Sequence, residues 1–138
     1  MKETTVTVWV DASVKEGQAG YGVIAEASNG GSLSYIGSYA CNDINVAESY
    51  AIATAVDFSM HAWPDCWSID VITDSQVVAN IFNNTFSGVA SPAVERNLDR
   101  AVNEMCERPL TINWQPRCSS ERLRQVDTMA RAAVRSSK

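Results

Sequence analysis

The order in which strand-like and helix-like segments follow one another is the feature that most limits the folds open to this chain. Residues 4–13 (TTVTVWVDAS) alternate, with three valines on one face and Thr, Trp and Asp on the other, which predicts a strand. Residues 21–27 and 32–40 predict two further strands, and the NGG sequence at 29–31 is typical of a hairpin turn. The N-terminal part of the chain therefore predicts an antiparallel meander.

The rest of the chain alternates between helical and strand patterns. A long helix is predicted from Asn45 or a neighbour to about His61, and Pro64 prevents its continuation. Three hairpin strands followed by alternating helices and strands predict an α/β fold in which helices pack on a mixed sheet. The later segments are a strand over 67–74, a short helix over 75–84 with Ser75 near its start, a loop over 86–92, a helix over 93–107, a strand over 110–114 and a final helix capped by Ser119 or Ser120.

Length and composition indicate one globular domain over residues 1–138. The chain has 138 residues, 46% of them hydrophobic, which is enough apolar material for a single core. The first residues lack the charged start and long apolar stretch of a signal peptide, and no apolar run reaches membrane-spanning length. We therefore expect a cytoplasmic protein without a membrane partner. Because nothing in the sequence signals an oligomer, we expect a monomer.

The cysteines and the single histidine argue against several kinds of site. The four cysteines stand far apart, with no Cys-x-x-Cys pair, which favours reduced thiols over a disulfide framework or a zinc site. A histidine-based zinc site or a Ser-His-Asp triad would have to be built on His61 alone.

Charge is divided unevenly along the chain. The net charge is −5, but residues 1–90 hold two basic and ten acidic side chains (2 − 10 = −8), and residues 91–138 hold nine basic and six acidic ones (9 − 6 = +3). An anionic partner would therefore bind the C-terminal third. The alternative is that Arg122, Arg124, Arg131 and Arg135 are the solvated face of the last helix.

Two acidic residues lie on apolar helix faces. Asp127 lies on the apolar stripe of the last helix, and Glu48 has the same position on the long helix, in its predicted first turn. An unpaired ionised carboxylate that faces a core is costly, so each acid needs a compensating partner. The two stripes consist of Leu123, Val126, Ala130, Ala133 and Val134, and of Ile44, Ala51, Ile52 and Ala55.

Two further acids lie at predicted strand ends. Asp11 ends the first strand on the face opposite its valines, and Asp74 ends the fourth strand, where α/β sheets usually place their chemistry. If all four carboxylates converge, a hard divalent cation with its preference for oxygen ligands would compensate them. The local alternatives are Asp11 and Asp74 as turn or cap residues, Glu48 as a helix-dipole partner, and Asp127 paired with Arg124 or Arg131.

Short segments spread over nearly the whole chain match one family pattern. In order they are VDAS followed by GQAGYGVI, then NVAESYAIA, then VITDSQVV, then WQPR leading to QVDTMAR. They place Asp, Glu, Asp and Asp in that order, each on the expected element, and in this the chain resembles the type 1 ribonuclease H family. The resemblance implies a ribonuclease H-like, five-stranded mixed sheet in the order 3-2-1-4-5, with strands 1–3 antiparallel and helices on both faces.

The resemblance also implies a site and an activity. The activity is that of a metal-dependent endoribonuclease that hydrolyses the RNA strand of an RNA/DNA hybrid to 5'-phosphate and 3'-hydroxyl ends, with the 2'-hydroxyl distinguishing RNA from DNA. Two cations about 4 Å apart can activate a water on one side of a phosphodiester and stabilise the departing oxygen on the other. The implied ligands of two Mg²⁺ ions, for which Mn²⁺ can substitute, are Asp11, Glu48, Asp74 and Asp127, and the implied nucleic-acid contacts are Ser13, Asn45 and Gln76.

Arg117 stands where many relatives carry a histidine, on the loop before the last helix. An arginine cannot shuttle a proton near neutral pH, but it can hold a phosphate bidentately, and some branches of the family carry the same Pro-Arg pair. Arg117 is therefore a candidate catalytic residue through a substrate contact. The alternative is that it pairs with Glu121 or caps a strand end.

Two other departures concern substrate affinity. The segment before Glu48 reads NDIN where the family often shows Thr-Asn-Asn, and Asp43 would weaken a phosphate pocket there. The chain also lacks a basic, Trp-rich protrusion between the second and third helices. If hybrid binding rests on the C-terminal arginines, its affinity should be modest and strongly salt-sensitive.

A function of a different class keeps the same fold: a nucleic-acid-binding or protein-binding module with weak or no catalysis. Asp43, Arg117 and the acidic composition favour it. DNA-directed nucleases of the same superfold are disfavoured, because the first strand carries Asp11-Ala12-Ser13 instead of Asp-x-Glu and because the integrase order ends in Glu.

The four tryptophans are assigned no function. Trp9 shares a face with Asp11, and Trp114 precedes the QPR loop, so we expect core packing for both. Trp63 and Trp67 flank a proline turn and are expected to be half exposed.

Overall fold

A computed structural model describes residues 3–85 and 88–136 of the chain. The predicted loop over 86–92 is described only from residue 88, so Phe86 and Ser87 lie outside the described residues. In chain order the elements are β1 (Thr5–Lys15), β2 (Gln18–Ala27), β3 (Ser32–Ala40), α1 (Ile44–Ala62), β4 (Ser68–Thr73), α2 (Gln76–Phe82), α3 (Pro92–Glu104), β5 (Leu110–Trp114), a 3₁₀ turn (Arg117–Ser119) and α4 (Glu121–Ser136).

The five strands form one mixed sheet in the order β3-β2-β1-β4-β5. β1, β2 and β3 are antiparallel neighbours, whereas β4 runs parallel to β1 and β5 runs parallel to β4. The predicted α/β class, strand order and antiparallel meander are therefore confirmed. The central strand β1 buries Val6, Val8 and Val10 fully, as its alternation predicts.

Helices pack on both faces of the sheet. The largest apolar cluster joins the valine face of β1 to α1 and α3, and α4 packs on β1 and β2 from the other face. The α4 side needs glycine on β2: a Cβ on Gly20 would lie 2.6 Å from Val134 N, and one on Gly22 would lie 2.6 Å from Met129 Cβ. Both glycines therefore let the backbone of α4 come close to the sheet.

Side-chain caps mark the starts of the helices. Asp43 accepts hydrogen bonds from the N–H groups of Asn45 and Val46, at 2.8 and 3.1 Å. Ser75 caps α2, as predicted, and Ser120, not Ser119, accepts from a backbone N–H in the first turn of α4. Asp43 therefore caps the N-terminus of α1. The sequence pattern indicated only that it would weaken a phosphate pocket.

Several predicted boundaries differ from the structure. β1 does not end at Asp11, because its pairing with β2 continues to Lys15. α1 begins at Ile44, a neighbour of Asn45 as predicted, but Glu48 lies just past the first turn and not in it. Ile44 itself is exposed instead of on the buried stripe. α3 ends at Glu104 and not at residue 107, because Cys106 and Glu107 have φ values of 50° and 70°, which no right-handed helix contains.

Trp114 does not pack in the core. It is 43% exposed because β5 is an edge strand that buries only its central residue, Ile112. Trp67 is half exposed, as expected. Over residues 3–85 and 88–136, no helix combines enough length with enough apolar character to span a bilayer.

Candidate metal centre

The end of the parallel pairing between β1 and β4 brings Asp11 and Asp74 together. The pairing of β1 with β4 stops at Val10 and Thr73, so Asp11 is the first residue of β1 beyond it and Asp74 directly follows β4. Thr73 is buried, and its hydroxyl accepts a hydrogen bond from the Ser75 N–H at 3.0 Å, which holds the turn that carries Asp74. The two carboxylates therefore lie at adjacent positions, one residue beyond the last pair of β1 and β4.

Glu48 completes a group of three carboxylates. It lies on the buried face of α1, which packs against β1. One carboxylate oxygen from each of Asp11, Glu48 and Asp74 lies within 4.8 Å of the other two. Asp11 is 1% exposed and Glu48 is 5% exposed, so most of this group is shielded from water.

Two oxygens of this group have no hydrogen-bond donor. Oδ1 of Asp11 accepts from the Ala12 N–H at 2.9 Å, but Oδ2 of Asp11 and Oε2 of Glu48 are buried and accept from no group in the described part of the chain. A buried carboxylate oxygen without a donor is costly. Clustered oxygens with unused lone pairs fit a hard divalent cation, so the residues present suit the Mg²⁺ or Mn²⁺ that the family resemblance implies.

Burial and mutual repulsion raise the pKa values of two of these acids. Burial, followed by the charge of Asp74, raises the pKa of Asp11 to about 8. Burial, followed by the charges of Asp11 and Asp74, raises the pKa of Glu48 well above its usual value. In the absence of a cation, this part of the protein therefore holds protons near neutral pH.

Arg117 connects Asp74 to Asp127. Its Nε donates a hydrogen bond to Oδ2 of Asp74 at 2.8 Å, and its Nη1 lies 3.7 Å from Oδ1 of Asp127. The Asp127 carboxyl also contributes to the raised pKa of Asp11, after burial and the charge of Asp74. The four carboxylates singled out in the sequence therefore meet at one place, with Asp127 on the arginine side of the group.

The structure decides between the local alternatives for Asp127 and Arg117. Asp127 pairs with Arg131 at 3.3 Å, whereas Arg124 donates to the carbonyl oxygen of Cys118. Within residues 3–85 and 88–136, Arg117 pairs with the two aspartates and not with Glu121. Sequence reasoning missed the bond from Arg117 to Asp74 because its partners are 43 residues apart and no local pattern links them.

The three predicted nucleic-acid contacts each lie close in sequence to one of the acids. Ser13 follows Asp11 by two residues on β1 and therefore shares its face of the sheet. Asn45 precedes Glu48 by three residues on α1, and Gln76 follows Asp74 by two as the first residue of α2. All three are at least partly exposed, and their roles stay predictions.

Solved ribonuclease H structures resemble the chain over nearly its whole length. The ribonuclease H1 of the halophilic archaeon Halobacterium salinarum NRC-1 is 19% identical, with a TM-score of 0.81 over 96% of this chain and 98% of that chain. An N-terminal ribonuclease H domain from Mycobacterium tuberculosis, solved as a fusion with maltose-binding protein, is 19% identical, with a TM-score of 0.82 over 97% and 96%. The LC11 ribonuclease H1 in complex with an RNA/DNA hybrid is 17% identical, with a TM-score of 0.80 over 96% and 98%.

The comparisons establish the fold. No family model and no curated protein matches the sequence. At identities of 17–19%, the likeness to solved structures shows a ribonuclease H fold. Fold and site together define an α/β domain of this fold with a candidate centre for divalent cations.

Proposed function

We propose that this protein is a metal-dependent endoribonuclease that hydrolyses the RNA strand of RNA/DNA hybrids, leaving 5'-phosphate and 3'-hydroxyl ends. The observation that carries the proposal is the group of Asp11, Glu48 and Asp74, with ligand oxygens within 4.8 Å of one another and two of those carboxylates buried. The likeness to a ribonuclease H1 in complex with an RNA/DNA hybrid supports the choice of substrate.

The four acids would hold two Mg²⁺ or Mn²⁺ ions, with Asp127 as the ligand on the side of Arg117. Bound cations of this kind activate a water for attack on a phosphodiester and stabilise the departing oxygen. To bind them, Asp11 and Glu48 must give up the protons that their raised pKa values retain. No side chain of this group has to act as a nucleophile.

Arg117 has a different task in this proposal. Its planar guanidinium already spans Asp74 and Asp127, and it is half exposed, so it can also reach a phosphate outside the group. We assign it to the substrate phosphate, which it can bind and orient without exchanging a proton.

Ser13, Asn45 and Gln76 are the proposed contacts to the nucleic acid. Each carries a hydroxyl or amide group that can bond to phosphate or sugar oxygens, and each lies within three residues in sequence of an acid that would hold a cation. Discrimination between RNA and DNA requires a contact to the 2'-hydroxyl.

The test is cleavage of a labelled RNA/DNA hybrid in the presence of Mg²⁺ or Mn²⁺. We expect Asp11→Asn and Asp74→Asn to lose more activity than the roughly 10- to 100-fold that loss of an outer-shell partner costs. Asp99→Asn, which changes an exposed acid on α3, is the matched control and should cleave as the wild type does. A wild type as inert as both site variants, with the metal present, would remove the enzyme proposal.

One observation favours the alternative of a binding module with weak or no catalysis. Arg117 already neutralises Asp74 and Asp127, which leaves less negative charge to attract a cation. Titration with Mg²⁺ by calorimetry separates the two functions, because a binding module need not take up the ion.

A further inference from the structure

The outer edge of β3 carries a row of backbone groups that no strand pairs. β3 is the first strand of the sheet, so only one of its sides has a neighbour. At the two ends of its ladder with β2, Ala27 N–H donates to Gly31 O at 2.8 Å and Cys41 N–H donates to Gly17 O at 3.0 Å. The backbone N–H and C=O groups of the odd-numbered residues of β3 therefore point towards β2. Because pairing alternates along an antiparallel strand, the even-numbered residues direct their N–H and C=O groups outward.

The side chains on this edge provide none of the usual protection against strand pairing. Natural edge strands are commonly guarded by charge, by proline, by a bulge or by short length. β3 has nine residues and contains no charged residue and no proline. Within the described residues, no other segment donates to or accepts from the outward backbone groups. The even-numbered residues, all of them exposed, are Ser32, Ser34, Ile36, Ser38 and Ala40.

We propose that this edge is an interface through which two copies of the chain pair their β3 strands antiparallel, about a two-fold axis at Ile36. In that register Ile36 lies opposite its counterpart, Ser34 lies opposite Ser38, and Ser32 lies opposite Ala40. Each even-numbered residue then donates one hydrogen bond and accepts one. The two sheets become one continuous sheet across the axis.

The edge complements itself in size and in charge. Small side chains oppose small ones, and the largest exposed apolar residue of the edge, Ile36 at 50% exposure, meets itself at the axis. Beside the edge, on the α4 face, an open trough of about 550 Å³ has Ile24, Ser34 and Met129 in its lining. Its lining also includes Glu121 and Arg124, one charge of each sign, so a second copy meets no field of a single sign.

The lack of charge on the β3 edge favours a second copy of the chain, and not a nucleic acid, as the partner that binds there. A polyanion is held by lysines and arginines, and β3 has neither. Backbone pairing with a strand of its own kind needs no charge, and the two-fold register uses every outward group of the edge.

The association should be weak and reversible. A standard interface buries about 800 Å² on each partner, and one strand edge offers less than that. We therefore expect a dissociation constant of roughly 10 to 1,000 µM. The sequence-based expectation of a monomer would then hold in dilute solution. Because Asp11, Glu48, Asp74 and Asp127 lie within one chain, a single copy contains the whole candidate metal centre.

Sedimentation velocity over a range from low micromolar to near-millimolar concentration tests the association. The wild type should shift from monomer to dimer as concentration rises, and Ile36→Lys should stay monomeric because it places two like charges opposite each other at the axis. Val102→Lys is the matched control, since Val102 is 46% exposed on α3, and it should dimerise as the wild type does. A wild type that stays monomeric, or a dimer that persists in Ile36→Lys or is lost in Val102→Lys, overturns the proposal.

A cross-link tests the register. Opposed residues in a hydrogen-bonded antiparallel pair have Cα atoms about 5.5 Å apart, which a disulfide can span. In a background of Cys106→Ser and Cys118→Ser, which removes the two exposed cysteines, Ile36→Cys should form a covalent dimer under mild oxidation, and Val102→Cys should not. Equal cross-linking of the two variants, or none in Ile36→Cys, excludes the axis at Ile36.

Discussion

Asp11 links the stability of the protein to the acidity of the solution. Its side chain is almost fully buried, and its pKa rises from 3.8 to about 8 chiefly through that burial. In the unfolded chain the carboxyl loses its proton near pH 4. Between about pH 4 and pH 8 the folded, metal-free protein therefore binds more protons than the unfolded chain, and its free energy of unfolding falls as the pH rises.

In the presence of a chelator, we predict that the free energy of unfolding falls as the pH rises from about 4 to 8. The slope should be at most about 1.4 kcal/mol per pH unit for each retained proton. Asp11→Asn should flatten the slope, because an amide does not titrate. Urea unfolding at several pH values measures it, with Asp99→Asn as a control that should keep the wild-type slope. A free energy of unfolding that rises with pH between about 5 and 8 would contradict the raised pKa of Asp11.

Arg117 competes with a bound cation for the same carboxylates. We predict that Arg117→Ala binds Mg²⁺ or Mn²⁺ several-fold more tightly, because the guanidinium no longer neutralises Asp74 and Asp127. The Arg117 side chain is half exposed, so solvent screens its charge and the effect corresponds to about 1 kcal/mol or less. Calorimetry measures the change. Arg124→Ala, which removes an arginine bonded to the Cys118 carbonyl oxygen, should leave the metal affinity unchanged. Weaker metal binding in Arg117→Ala would mean that the arginine orients the aspartates instead of competing.

Local patterns predicted which elements carry the acids, and they could not predict how the acids are partnered. The apolar stripe around Asp127 and the strand that precedes Asp74 can be recognised over short windows of sequence. The bond between Arg117 and Asp74 and the exposure of Trp114 depend on which strand lies at the edge of the sheet and on contacts between distant segments. The roles of Ser13, Asn45 and Gln76 stay predictions.

At the scale of elements, the close packing of α4 on β2 depends on glycine. A methyl group on Gly20 would lie 2.6 Å from Val134 N and would contact the Ala130 carbonyl oxygen, so α4 would have to move. We predict that Gly20→Ala lowers the free energy of unfolding by about 1–3 kcal/mol. Ser38→Ala changes the exposed residue opposite Gly20 on β3 and should stay within about 0.5 kcal/mol of the wild type.

Urea unfolding at low protein concentration measures both variants. Unchanged stability of Gly20→Ala would mean that α4 lies further from the sheet than the structure shows.

The sequence predicted the order and type of the elements because their periodicity is strong, but it predicted neither the continuation of β1 to Lys15 nor the end of α3. Those boundaries are set by pairing with β2 and by residues with positive φ, neither of which periodicity records.

At the scale of the whole molecule, some of the basic residues in the C-terminal third already bind groups of the protein itself. Arg122 lies 2.6 Å from Oε2 of Glu26, and Arg108 donates to the carbonyl oxygens of Pro64 and Cys66. These cations are already occupied within the protein. The expectation of modest, salt-sensitive hybrid affinity stays a prediction.

We predict that the logarithm of hybrid affinity falls linearly with the logarithm of salt concentration, and that Arg117→Ala makes the slope shallower by about 1. Arg122→Ala, which removes an arginine paired with Glu26, should leave the slope unchanged. Fluorescence anisotropy measures the slopes, with Asp11→Asn added to all three proteins because that substitution should strongly reduce cleavage of the hybrid. An equal slope for wild type and Arg117→Ala would show that Arg117 does not contact phosphate.

The last parallel pair between β1 and β4, Val10 with Thr73, has a consequence for how the molecule assembles. Asp11 and Asp74 become neighbours only when two segments some sixty residues apart in the chain dock in this alignment. Slippage by one position would turn Asp11 to the opposite side of the sheet. Contacts of such long range form slowly, so the capacity to capture a cation should emerge after the helical signal during refolding, and its appearance would report the completion of the native sheet.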